Sequence, residues 1–180
     1  QFNQSIFGVL LFDFDDVLTT GGNVVDNTFQ ESLFGVNVGF FATNSLFTGN
    51  IERNTFINTD RQSIDVRADN FTGNVSDNVV TFTGDLADAD VNAGTTGIEI
   101  NLGLFRTGTF TFRGDISGNQ VSGVESFTIN PDTDPFEIVG DGIAFSGTDF
   151  VGNVENNVVT DNKGIGLAVS AFQNFTGNII

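Results

Sequence analysis

Residues 47–56 read FTGNIERNTF, residues 71–80 read FTGNVSDNVV, residues 150–159 read FVGNVENNVV and residues 175–180 read FTGNII. Two looser copies, GGNVVDNTF at 21–29 and FRGDISGNQV at 112–121, complete the series. Aligned on the residue after Gly, the series is Asn23, Asn50, Asn74, Asp115, Asn153 and Asn178, at intervals of 27, 24, 41, 38 and 25 residues. Self-similarity at such a period means that each copy is one structural unit and that units stack to bury a shared core.

A second element recurs between the copies. It is a short apolar run, often opened by Ser-Ile or Gly-Ile: SIFGVLLF at 5–12, SLFGVNVGF at 32–40, SIDVRAD at 63–69, GIEINLGLF at 97–105, GIAFSG at 142–147 and GIGLAVS at 164–170. The order is always apolar strand, Phe-x-Gly-Asn bend, then a second Asn before another apolar pair. Gly and Asn suit bends that need φ > 0, and Phe, Val and Ile suit strands. A unit of 24–27 residues holding three short strands predicts one coil of a right-handed parallel β-helix. The expected fold is therefore all-β, a solenoid of about six coils forming a single domain over 1–180. The two long intervals predict acidic loop insertions at about 83–96 and 130–141. The aligned bends Asn23, Asn50, Asn74, Asp115, Asn153 and Asn178 should form an amide ladder with φ > 0 and at least partly buried side chains. Phe47, Phe71, Phe112, Phe150 and Phe175 should form one internal column. An antiparallel sandwich is the competing architecture, but it requires no Gly-Asn at a fixed point of each repeat.

The segment 156–180, NNVVTDNKGIGLAVSAFQNFTGNII, resembles the repeat of pectate-lyase-like right-handed β-helices in its rhythm of Asn-rich bend, Gly-Ile strand and Gly-Asn bend. The resemblance extends over most of the chain, from about Ser5 to Ile180. It implies a fold but not a function, because lyases, hydrolases, tailspikes, adhesins and structural proteins share that architecture.

Composition narrows the chemistry. The 180 residues contain no Cys, His, Met, Trp or Tyr, one Lys, 22 Gly and 21 Phe, with 23 acids against 6 bases for a net charge of −17. There is no thiolate, no imidazole base or ligand and no disulfide. Such an acidic surface disfavours nucleic acid, whose binding rests on basic patches. No run reaches membrane-spanning length, and no N-terminal stretch has the form of a signal peptide.

Oxygen-rich segments are the candidate metal sites. Asp88, Asp90 and Asn92, followed by Gly94 and Glu99, approach the alternation of a calcium loop, and Asp85 could add a ligand. Ala93 stands where such loops carry Gly, so a solvated acidic loop is the competing reading. Asp132 and Asp134 in the turn NPDTDP form a second candidate for calcium. Asp13 and Asp15 share a strand face by period two. An enzyme is not expected. Asn58-Thr59-Asp60 matches one element of polygalacturonase-like enzymes, but the Gly-His-Gly and basic elements are absent. Arg67 between Asp65 and Asp69 could serve a calcium-dependent lyase or be an ordinary ion-pair row.

The ends of the chain shape the functional expectation. A solenoid end is an open strand edge unless capped. Residues 1–12 are apolar, uncharged and strand-like, and residues 175–180 stop within a repeat. Phe2, Ile6 and Phe7 at one end and Phe175, Ile179 and Ile180 at the other are the expected assembly interface of a head-to-tail homopolymer. Truncation of a longer protein is the alternative. The expected role is a structural subunit of a secreted, extracellular or cell-surface filament or matrix. A carbohydrate-active or carbohydrate-binding β-helix, with polysaccharide as partner, is the reading from another class.

Overall fold

The computed structural model describes residues 2–3, 7–11, 19–39, 45–59, 61–83, 96–103, 108–124, 127–129, 136–138 and 140–180. Among them there is no helix. The strands form three parallel sheets, of six, ten and five strands, and one two-stranded antiparallel pair.

Each repeat supplies four strands, and each strand lies parallel on its counterpart in the next repeat. The first stack holds the apolar runs: Phe7–Leu11, Phe34–Val38, Gln62–Val66, Thr96–Asn101, then the first halves of Asp141–Val151 and Leu167–Thr176. The second holds the Phe-x-Gly segments: Thr19–Gly21, Leu46–Thr48, Asn70–Thr72, Thr111–Arg113 and the second halves of the same two long strands. Those two long strands run through both stacks and join them into the ten-stranded sheet. The third stack is Val24–Val25, Ile51–Glu52, Val75–Ser76, Ile116–Ser117 and Val154–Glu155, with Ile179 bridged to Val154. The fourth is Phe2–Asn3, Thr28–Gln30, Thr55–Ile57, Val79–Thr81, Gln120–Ser122 and Val158–Thr160.

Register puts like on like, and the core follows from it. Phe47, Phe71, Phe112, Phe150 and Phe175 succeed one another with ring centroids 5.1, 5.1, 4.9 and 5.0 Å apart, the first two contacts edge-on and the last two stacked. Ile51, Val75, Ile116 and Val154 form a second buried file. Phe29 and Phe56 stack at 4.8 Å, and Val80 and Val121 continue their line. The first-stack strands begin with small residues where these rings need room: a Cβ on Gly35 would run into the Phe56 ring.

Positive φ falls elsewhere than at the expected ladder residues. It is carried by the preceding glycines, from φ 145 at Gly73 to φ 151 at Gly49, and by residues three places after each ladder residue: Asp26, Arg53, Asp77, Gly118 and Asn156. The physical reason is crowding. From Gly49 to Gly177, each glycine of the column lies so close to the carbonyl of the glycine one repeat earlier that a Cβ there would strike it, so the strained conformation goes to the residue with no Cβ.

The insertion boundaries also shift. Asp141 opens a strand paired with Thr96, so the second insertion does not run to 141. It is bracketed instead by the antiparallel pair Phe127–Ile129 and Phe136–Ile138. The first insertion ends before Thr96, which heads its own strand.

Candidate functional site: polar ladders, a buried carboxylate and two open edges

The outer ladder is a run of side-chain oxygens, each accepting the main-chain N–H of its successor. Asn23 accepts from Asn50 at 2.9 Å, Asn50 from Asn74 at 2.9 Å, Asn74 from Asp115 at 3.0 Å, Asp115 from Asn153 at 2.7 Å and Asn153 from Asn178 at 3.2 Å. All six residues named from the sequence are thus in one line. Asn50, Asn74 and Asn153 are half-buried, and Asn23 and Asn178 are exposed. Asp115 can stand in for Asn because at that rung the ladder uses the side-chain oxygen as acceptor, although Asn178 at the last rung also donates its Nδ2 to Asn153 Oδ1 at 3.3 Å.

A second ladder lies four residues further on, at the second Asn of the repeat, to which the sequence reading assigned no ladder. Asn27, Asn54, Asn78, Asn119 and Asn157 are joined by two bonds per step. The main-chain N–H and the Nδ2 of each donate to the Oδ1 of the next, at 3.1 and 3.2, 3.0 and 3.1, 3.1 and 3.0, then 3.1 and 2.9 Å. The Nδ2 groups of Asn54, Asn78, Asn119 and Asn157 also donate to the carbonyls of Val24, Ile51, Val75 and Ile116. Asn54, Asn78 and Asn119 are fully buried. Here the amide nitrogen is indispensable, so no Asp occurs. That invariance across five copies was the available signal.

The first stack holds the most perturbed charge. Asp65 is 0% exposed. Its Oδ2 accepts from Asn37 Nδ2 at 2.8 Å and its Oδ1 from Arg67 Nε at 2.9 Å. Burial pushes its carboxyl up to about 6, with Arg67 pulling down and Glu99 pushing up. Glu99 is the register neighbour of Asp65 on the next strand, and its Oε2 accepts from Gln62 Nε2 at 3.3 Å. Asn37 Oδ1 and Gln62 Oε1 are buried acceptors with no donor among the described residues. Of the sequence row Asp65, Arg67 and Asp69, the structure records the Asp65–Arg67 pair, while the main-chain N–H of Asp69 donates to Ser45 Oγ at 2.9 Å. Asp65 is thus held in an ion-pair and amide network with Arg67 and Asn37.

On the surface, Arg53 makes a two-pronged pair with Asp26 at 2.8 and 3.0 Å. The hydrogen bond from Arg53 holds the Asp26 carboxyl below its ordinary value.

The candidate calcium ligands Asp85, Asp88, Asp90, Asn92, Asp132 and Asp134 lie outside the described residues, as do Asp13, Asp15, Asp60 and Ile6. Glu99 sits within the strand Thr96–Asn101. Among the described residues no group of three or more acidic side chains is placed to hold a metal ion, and no helix is long and apolar enough to cross a membrane.

Apolar side chains are exposed at both ends of the stacks. Phe7 and Leu10 are 36% and 38% exposed on the strand at one end; at the other, Phe175, Ile179 and Ile180 are 37%, 56% and 80% exposed. Phe2 pairs with Phe29 through the backbone of the fourth stack. Comparison with family models, curated proteins and solved structures finds no match for this chain.

Proposed function

We propose that the chain is a right-handed parallel β-helix of the pectate-lyase-like type whose role is structural, as a secreted or surface scaffold unit that associates end to end. Right-handedness is supported by the near-universal hand of crossovers between parallel strands of one sheet. The solenoid reading is supported by four parallel strand stacks with like residues in register.

The observation that carries the functional reading is the pair of open edges. Phe7–Leu11 pairs only with Phe34–Val38, and Leu167–Thr176 only with Asp141–Val151, among the described residues. Each therefore has a row of main-chain donors and acceptors facing away from the body beside exposed Phe, Leu and Ile. Such an edge is a template for another strand. The two ends are also stepped in a matching way. The fourth stack extends one strand beyond the others at one end, through Phe2–Asn3, and stops one layer short of Leu167–Thr176 at the other. Seating a second copy's Phe2–Asn3 on Val158–Thr160 brings its Phe7–Leu11 onto Leu167–Thr176.

Charge sets the conditions. Six layers at about 4.8 Å make a unit roughly 29 Å long carrying −17, a line charge close to one per ~1.7 Å, the value for duplex DNA. Salt, and calcium or magnesium more strongly, should promote association by screening. Light scattering and negative-stain microscopy across a salt and calcium series test this. The variant Phe175→Asp/Ile179→Asp, altered at exposed positions, should stay folded and monomeric. A wild-type chain that is monomeric in every condition at high concentration overturns the reading.

A further inference from the structure

We propose that Asn37, Gln62, Asp65 and Glu99 form a buried site for one monovalent metal cation, sodium or potassium. The site lies within the first stack, away from the ends, and is independent of end-to-end association.

The repeat does not call for these residues. Asn37, Asp65 and Glu99 stand side by side in one file of the register, and the same file carries Leu10 before them and Ala144 and Ala168 after them. Three neighbouring strands thus set polar groups where the rest of the file is apolar, and the apolar neighbours close the polar segment at both ends.

Oxygen acceptors are in surplus there. Asp65 is wholly buried and takes one bond on each carboxylate oxygen, from Asn37 Nδ2 at 2.8 Å and from Arg67 Nε at 2.9 Å. Glu99 Oε2 takes its bond from Gln62 Nε2 at 3.3 Å. Both amides that serve the carboxylates are themselves more than nine-tenths buried, Asn37 at 0% and Gln62 at 8% exposure. Each holds an oxygen, Asn37 Oδ1 and Gln62 Oε1, with no donor among the described residues. A buried acceptor left without a partner is costly, and these two belong to the very groups that touch neighbouring carboxylates. Oxygen ligands sit about 2.3–2.6 Å from a hard cation, so one ion bridges oxygens up to roughly 5 Å apart. The oxygen and nitrogen of one carboxamide are bonded to the same carbon, which keeps Asn37 Oδ1 within an ion's reach of the Asp65 carboxylate. Gln62 Oε1 adjoins Glu99 in the same way.

Charge selects the valence. The charges that act on Asp65 are Arg67, which favours its ionised form, and Glu99, which opposes it. Glu99 is one strand away in register, about 4.8 Å. Two carboxylates against one guanidinium leave one negative charge in a buried setting. A monovalent ion cancels it, whereas a divalent ion leaves one uncompensated positive charge, and buried charge is tolerated only when paired or coordinated. Without the ion, burial and Glu99 keep the proton on Asp65 up to about 6; the bound ion takes the proton's place. Glu99 is only half-buried and the Arg67 side chain is 24% exposed, which gives the ion a way in from the surface.

Thermal unfolding of the full chain at pH 7.5, followed by circular dichroism in sodium, potassium, calcium or N-methyl-D-glucamine chloride, tests the proposal. Equal ionic strength holds screening constant, and the bulky organic cation cannot enter a buried site. The Phe175→Asp/Ile179→Asp chain is measured beside the wild type so that association does not contribute. In both, sodium or potassium should raise Tm by several degrees over the organic cation, with saturation, and calcium should raise it less. Asp65→Asn and, separately, Glu99→Gln should lose the ion-specific rise while remaining folded, and Glu155→Gln, on the third stack, should keep it. Arg67→Gln leaves two negative charges at the site and should transfer the preference to calcium. The same Tm in all four salts, which is the result if water alone satisfies the two amide oxygens, would overturn the proposal. So would a larger rise with calcium in the wild type, or an undiminished sodium or potassium rise in folded Asp65→Asn or Glu99→Gln.

Discussion

Truncating Asn78 to Ala should be among the most destabilising single changes on the surface or in the interior of this chain. Its side chain has four hydrogen bonds. Nδ2 donates to Ile51 O at 2.8 Å and to Asn119 Oδ1 at 3.0 Å, while Oδ1 accepts the main-chain N–H of Asn54 at 3.0 Å and its Nδ2 at 3.1 Å. Asn119 Oδ1 keeps a donor, because the main-chain N–H of residue 78 also reaches it, and Asn54 Nδ2 keeps Val24 O. The Asn54 N–H loses its Asn78 Oδ1 acceptor within a fully buried setting, an orphaned donor worth about 1–3 kcal/mol, and the remaining bonds add roughly 1 kcal/mol each where nothing replaces them. The sum is about 3–5 kcal/mol, a large share of the ~5–15 kcal/mol that holds a typical domain. Asn74→Ala, in the half-buried outer ladder, removes the one acceptor of the Asp115 N–H where water can take its place, and should cost about 1 kcal/mol. Urea titration followed by circular dichroism measures both. Equal costs for the two variants, or less than about 1 kcal/mol for Asn78→Ala, would refute the view that the inner ladder ties the repeats together.

Asp65 has a pKa of about 6 in the fold against 3.8 as a free group, so the folded state binds its proton more tightly than the unfolded state. The resulting stability is present below about pH 4 and disappears as pH rises through about 6, by ~3 kcal/mol at ~1.4 kcal/mol per unit; Asp65→Asn should flatten that slope in denaturation curves between pH 4 and 7.5, and an unchanged slope refutes the assignment. Phe112→Ala removes a ring held between Phe71 and Phe150 at 5.1 and 4.9 Å and should cost about 3–5 kcal/mol, read as a lowered urea midpoint. Gly73→Ala drives a Cβ into the Gly49 carbonyl, whereas a Cβ on Gly22 meets nothing within 4 Å; both share the strained φ, so Gly73→Ala should melt well below Gly22→Ala, and equal melting would show that the close approach relaxes freely.

The stacks were legible because the repeat writes the same chemistry at the same phase. Phe47, Phe71, Phe112 and Phe150 announce an internal column before any coordinates exist, and Gly-Asn marks the bend. What misled was conspicuousness. The Gly-Asn pair drew the alignment to Asn50 and Asn74, yet the wholly buried amides are Asn54 and Asn78, one short strand later. Both sets recur at the same interval, so periodicity alone cannot rank them; the absence of Asp from the second set can, since a carboxylate lacks the donor that this ladder spends on each step. Asp65 was illegible for a different reason. Alternation makes Asp65, Arg67 and Asp69 equivalent, and only the arrival of Asn37 and Glu99 from neighbouring strands singles one out. The antiparallel pair around 130–135 was hidden because SFTIN and FEIV break the repeat, leaving no phase from which to read them.

From the Phe-x-Gly strand through the short strand to the fourth stack, every repeat has the same length: 47–57, 71–81, 112–122 and 150–160. All variation in the repeat interval falls on the return path to the next Phe. The two amide ladders lie on the constant arc, and a single extra residue there would throw one rung out of step with both neighbours. Among its described residues the return path shows no such amide ladder to keep in step. The molecule therefore has a spine that tolerates no indels and a flank that absorbs them, and foreign peptides grafted at the flank, between Thr83 and Thr96 for instance, would be displayed at regular height without disturbing the spine.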